Sequence, residues 1–106
     1  MITINYSLQS INFFFRVNKN KGLRPTKFYH EKDGDFFDFD RTPLYDSSIS
    51  WGAQGLIGTF LSKPAYNIYS IHDIFLWSAD DRGTVVSYLI ELLESGYLED
   101  FRIYNN

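Results

Sequence analysis

The stretch Asp80 to Leu98, DDRGTVVSYLIELLESGYL, decides the fold. Val85, Leu89 and Leu92 recur at i, i+4 and i+7, which places them on one face of an α-helix. Asp80 and Asp81 suit its N-terminus, where unpaired N–H groups and the macrodipole favour anionic side chains. Gly96 suits its end, where the backbone often turns left-handed. Tyr97 and Leu98 then begin an extended segment, which Phe101, Ile103 and Tyr104 continue as a strand.

Two further helices precede this one. Ser70 caps a short helix from Ile71 to about Leu76, and Ser78 and Ala79 fall in the turn after it. Ser48 or Ser50 caps a longer helix whose apolar positions include Trp51, Ala53, Leu56, Ile57, Phe60 and Leu61. Gly52, Gly55 and Gly58 weaken that helix by about 1 kcal/mol each relative to Ala. Their spacing puts them along one side, so a close neighbour is expected there. Lys63-Pro64 ends the helix. Residues 41–98 are thus read as helical.

The first 40 residues have a different character. Ile2 and Ile4 alternate with polar residues, a short strand signature. Ser10 to Val17, SINFFFRV, is aromatic and β-branched and reads as a strand. Asn18 to Gly22 is a basic turn. Arg24 to Tyr29 returns as a second strand, with Pro25 confining it to an edge. His30 to Asp35 is another turn, and Phe36, Phe37 and Phe39 mark a third extended piece. One domain over 1–106 is expected, with a β-rich basic lobe at 1–40 and a helical core at 41–106.

Composition narrows the class. A chain of 106 residues can bury one hydrophobic core. Apolar and charged fractions, 44 % and 22 %, are those of a globular protein, while aromatic residues reach 19 %. There is no cysteine, which excludes disulfides and thiolate metal sites. No apolar run approaches the roughly 20 residues of a membrane span, and the first residues lack the charged start and apolar run of a signal peptide. A cytoplasmic protein with no membrane partner is expected. The net charge is −3, yet residues 1–30 hold five cations and no acid. The chain is electrically polarised, basic first and acidic after.

Leu44 to Leu98 resembles the winged helix-turn-helix domain of phage and plasmid replication proteins and replisome organisers. The matching features begin with Leu44, Asp46 and Ile49-Ser50 at the first helix, with Ala53, Gly55 and Leu56 inside it. They continue through Leu61-Ser62 and Pro64, the turn Asp81-Arg82, and Val85, Leu89, Leu92 and Gly96-Tyr97-Leu98. About half of the chain is covered. The resemblance implies an α+β fold with three helices and a short wing, a role in replication or transcriptional control, and entry of the long helix into the DNA major groove. No tight hairpin follows Leu98, so the wing is short or incomplete.

On that reading Arg82, Thr84, Ser87 and Tyr88 lie nearest the bases, and Lys19, Lys21, Arg24 and Lys27 hold phosphate. Two departures favour another ligand. Val86, Ile90 and Leu93 form a second apolar stripe, and Glu91 and Glu94 repel phosphate near the helix end. The stripe is expected to be buried beneath the N-terminal lobe, whose Phe13, Phe14 and Phe15 must pack on something. Left open, it serves with Glu91 and Glu94 as a surface for a partner or for a second copy in a homodimer. The alternative function is therefore an acidic phage-encoded inhibitor that occupies a host protein, of the anti-CRISPR or polymerase-inhibitor type.

No cofactor or metal is expected. Asp33, Asp35, Asp38 and Asp40 alternate as oxygen ligands do, but their spacing is not that of an EF-hand. His30 and His72 have no companions at metal or catalytic spacing. Ser47, Ser48 and Ser50 lack a nucleophile-elbow context, and no Walker or dinucleotide-binding motif is present. The chain is not read as an enzyme.

Overall fold

The computed structural model describes residues 11–104. The strand expected around Ile2 and Ile4 lies outside them. The described chain is a small α+β domain with three helices and two antiparallel sheets. The strands are β1 (Ile11–Val17), β2 (Lys27–Glu31), β3 (Gly34–Asp38), β4 (Tyr69–Ser70) and β5 (Leu98–Tyr104), and the helices are α1 (Trp51–Leu61), α2 (Ile71–Phe75) and α3 (Arg82–Glu94).

The main sheet has the order β4-β1-β5, all antiparallel. β1 is central because it satisfies both requirements of a middle strand. Phe13, Phe15 and Val17 alternate onto the buried face, and neither edge carries a proline. Along β5 the register runs from Val17 opposite Leu98 to Ile11 opposite Tyr104. Arg16 and Glu99 form an ion pair across these strands on the other face, where the guanidinium also lies 4.7 Å from the Phe101 ring centroid.

The main sheet joins β1, from the first 40 residues, to β4 and β5 from the remainder. β1 is not the first strand of a separate lobe, because its apolar face needs the helical residues to bury it. Nor does β1 pair with the segment after the basic turn. β2 pairs with β3 instead, and Pro25, with no N–H to donate, lies before β2 begins. Among the described residues the β2–β3 hairpin stands apart from the main sheet, and all ten of its strand residues are exposed.

The helices start and stop as their caps direct. Ser50 Oγ accepts from Ala53 N at 3.1 Å at the head of α1. Ser70 and Asp73 form a reciprocal capping box on α2. Asp81 Oδ1 accepts from Thr84 N at 2.9 Å on α3, and Gly96 follows α3 with φ +83°. The core joins Ala53, Leu56, Ile57, Phe60 and Leu61 of α1 to Ile71 and Ile74 of α2 and to Val85, Leu89 and Leu92 of α3. Trp51 does not belong to it: its side chain is 88 % exposed. At 100° per residue, Trp51 lies about 150° around α1 from the centre of the buried stripe.

Candidate binding surfaces

α3 divides around its axis into a buried stripe, two flanks and an outward edge. One flank seats α1. The Tyr88 ring lies against Gly52, so closely that a methyl group at 52 would clash with its edge, 2.1 Å from Cζ. Tyr88 Oη donates to Asp80 Oδ2 at 3.2 Å, and partial burial, then that bond, raises the phenol's pKa. One turn on, Glu91 accepts from Ser50 N at 2.8 Å and from Ser50 Oγ at 2.6 Å. Glu91 therefore ties the N-terminus of α1 to α3.

The other flank carries Val86, Ile90 and Leu93, each half-buried against the core. Arg82 stands at its head with its guanidinium 5.2 Å from the Phe75 ring centroid of α2. The outward edge is Gly83, Ser87 and Glu94, all exposed. Ser87 Oγ donates to Thr84 O at 2.6 Å, and Thr84 Oγ1 donates to Asp81 Oδ2 at 3.0 Å. The two Thr84 bonds, backbone first, hold Asp81 below the usual carboxylate range.

The four residues named for base contact are therefore spread around the helix. Arg82 and Tyr88 are about 120° apart about the α3 axis, and Tyr88 is committed to the α1 seam. Of the four cations named for phosphate, Lys21 lies at the other end of α3 from Arg82. Antiparallel pairing of β1 with β5 carries the chain to the opposite end of α3, where Asn18 N donates to Tyr97 O at 2.9 Å. Lys21 Nζ donates to Ser95 O at 2.9 Å and lies 4.5 Å from the Tyr97 ring centroid. A helix of 13 residues separates those ends by about 18 Å.

Lys19 lies 5.2 Å from the Tyr66 ring centroid. Arg24 pairs with Asp38 at 3.3 Å, and its backbone N–H donates to Asp40 at 3.0 Å. Lys27 is exposed on β2.

The acidic run is also occupied internally. Asp40 accepts from Thr42 Oγ1, Arg24 N and Thr42 N, and these bonds lower its pKa to about 2. Asp35 lies 3.1 Å from His30 Nδ1. Among the described residues no three His, Cys, Asp or Glu side chains converge as metal ligands do. Asp46 joins the turn before α1 to the start of β5. It accepts from Ser48 Oγ at 2.5 Å and from Tyr97 Oη at 2.6 Å, and its pKa falls to about 2. Burial, with that same bond, pushes Tyr97 up to about 12.

Large apolar side chains are exposed elsewhere. Trp51 is 88 % and Tyr45 75 % exposed, and both line a shallow groove with Leu44, Ile49 and Gln54. Leu76, in the turn between α2 and α3, is 85 % exposed. Apolar identity alone places Trp51 in the core; its angular position on α1 is the signal that places it outside. The β2–β3 hairpin adds Phe28, Tyr29, Phe36 and Phe37, between 37 % and 49 % exposed. Among the described residues no helix is long and apolar enough to cross a membrane. Comparison with protein-family models, with curated proteins and with solved structures finds no match.

Proposed function

We propose that this chain is a winged helix-turn-helix module that acts by binding another protein. The module assignment is supported by the run of helix, short strand, short helix, long helix and strand, closed by a three-stranded antiparallel sheet. On this reading β1, arriving from the N-terminal side, takes the central position of that sheet, where a wing strand would lie. The observation that carries the protein-binding reading is Trp51, open at the head of α1 with Tyr45 beside it in one groove. Large exposed aromatics of this kind act as anchors at protein interfaces, burying much area for few frozen torsions. The outward edge of α3, with Glu94 and no cation after Arg82, fits a protein target better than phosphate. An acidic inhibitor of a mobile element that occupies a host protein is consistent with this surface.

A photo-crosslinking residue at Tyr45 tests it in lysate of the expressing cell. A discrete protein adduct is expected, lost on Trp51→Ala and unaffected by Lys21→Ala. Absence of any protein adduct, together with salt-dependent binding of duplex DNA, refutes it.

A second reading, duplex DNA binding in replication or transcriptional control, is favoured by Arg82 and Ser87 in the first turns of α3. It predicts that a low-salt anisotropy titration detects binding that Arg82→Ala weakens. Because Lys21 lies at the far end of α3, Lys21→Ala then leaves the salt slope unchanged.

A further inference from the structure

The β2–β3 hairpin has two open edges, since its sheet contains those two strands alone among the described residues. A two-residue loop, Lys32-Asp33, closes on Glu31 opposite Gly34. The pair that closes such a loop exchanges both backbone bonds, and bonded and non-bonded pairs then alternate along the ladder. The N–H and C=O groups of Lys27, Tyr29 and Glu31 therefore face β3. Those of Phe28 and His30 face outward, and no described hydrogen bond reaches them.

We propose that this edge of β2 pairs antiparallel with β2 of a second copy of the chain, in the register centred on Tyr29. Outward groups must meet outward groups, so three symmetric registers exist. They place Phe28 opposite Phe28, Phe28 opposite His30, or His30 opposite His30. The first sets Lys27 against Tyr29 and brings Glu31 to Pro25, with no charge pair. The third sets Glu31 against Tyr29 and carries Lys27 beyond the strand to the turn residue Asp33. The middle register sets Lys27 opposite Glu31 of the second copy, and symmetry makes the pair twice.

Side chains agree with this choice. Tyr29 stacks on Phe36 with centroids 4.8 Å apart, and both rings are open to solvent. The middle register places the two Tyr29 residues at a non-hydrogen-bonded position, where side chains approach most closely. The result is a row of four rings across a four-stranded sheet. A lone two-stranded ribbon is marginal in water, and added strands stabilise it. The β3 edge does not compete. It carries Asp35 and Asp38 beside Asp33, so two copies meeting there would bring acids together.

Sedimentation equilibrium of the full chain tests the proposal, with far-UV circular dichroism as a control for folding. A concentration-dependent dimer is expected. Lys27→Glu and Glu31→Lys each turn two attractive pairs into two repulsive ones and weaken it by roughly tenfold or more. The double variant K27E/E31K restores the wild-type dissociation constant to within about twofold. His30→Pro removes one outward N–H per copy, leaves the bonds to β3 intact, and shifts the chain to monomer. A monomer at every concentration overturns the proposal. So does a dimer indifferent to Lys27→Glu and His30→Pro, or a double variant that stays as weak as either single one.

Discussion

Two glycines one turn apart on α1 are expected to respond to the same substitution with opposite signs. A Cβ added at Gly55 meets nothing within 4 Å, and the position is exposed. Gly55→Ala therefore collects the helix-propensity difference, about 0.8–1 kcal/mol of added stability. A Cβ added at Gly52 falls 2.1 Å from Cζ of the Tyr88 ring, well inside contact distance. The ring is held between α1 and α3, so it must swing outward and give up its contact with Asp80. Overpacking of this kind costs about 1–3 kcal/mol, more than the propensity gain on average. Gly52→Ala is then destabilising by about 0–2 kcal/mol, and the two variants differ by about 1–3 kcal/mol.

Urea denaturation of each variant measures the difference from midpoints at constant slope. For a domain of this size, 1 kcal/mol moves the melting temperature by about 4–8 °C, so thermal melts resolve the signs independently. Adding Tyr88→Ala identifies the cause. In that background Gly52→Ala is expected to become stabilising, because the obstructing ring is gone. A Gly52→Ala variant as stabilising as Gly55→Ala refutes the close approach of α1 and α3 at this point. Retention of the Gly52→Ala penalty after Tyr88→Ala refutes the ring as its cause.

The bonds Asp46 accepts from Ser48 and Tyr97, and the burial of Tyr97 with its bond to Asp46, predict the two limbs of the pH–stability curve. Asp46 has its folded pKa lowered to about 2, so the unfolded chain binds its proton first and stability falls as pH drops from about 4 towards 2. Tyr97 is raised to about 12, so the unfolded chain loses its proton first and stability falls as pH rises above about 10. Asp46→Asn should flatten the acid limb and Tyr97→Phe the alkaline limb, read from urea midpoints across pH; an unchanged limb in either variant contradicts the linkage. Glu91→Ala should destabilise by about 1 kcal/mol through loss of its bonds to Ser50, with the same loss in a Ser50→Ala background being the result that excludes coupling between them.

The order of the three helices and β5 was legible because each boundary has a local cause: Ser50, Ser70 and Asp81 as caps, Gly96 as a left-handed stop; the short strand β4 between α1 and α2 was not expected. The place of β1 was not legible. Alternation of Phe13, Phe15 and Val17 identifies a strand with one buried face, but its partner β5 lies more than 80 residues away, and periodicity says nothing about pairing over that distance. The roles of Tyr88 and Glu91 were hidden for a similar reason. On α3 alone both are polar or amphipathic side chains beside a core stripe; only the arrival of α1 makes one a packing wedge and the other a second cap. Gly52, Gly55 and Gly58 share a row, but that row shifts by about 60° at each step of three residues. It therefore presents Gly52 to α3, Gly55 to solvent and Gly58 to Leu44, whose Cδ2 lies 3.3 Å from a Cβ built there.

The polarity of the sequence, basic first and acidic after, has a use inside the molecule. Antiparallel pairing of β1 and β5 folds the cationic segment back on the acidic one. Arg16 meets Glu99 across the sheet, and Arg24 meets Asp38 beside the hairpin. Lys21 reaches the C-terminus of α3, where the helix dipole is negative and the Ser95 carbonyl accepts its hydrogen bond. A cation placed there complements the end of the helix whose other end would meet a major groove. The same pairing that completes the sheet therefore draws the basic segment away from Arg82. On the proposed reading that separation is why aromatic side chains, Trp51 and Tyr45 foremost, and not the lysines, remain for a ligand.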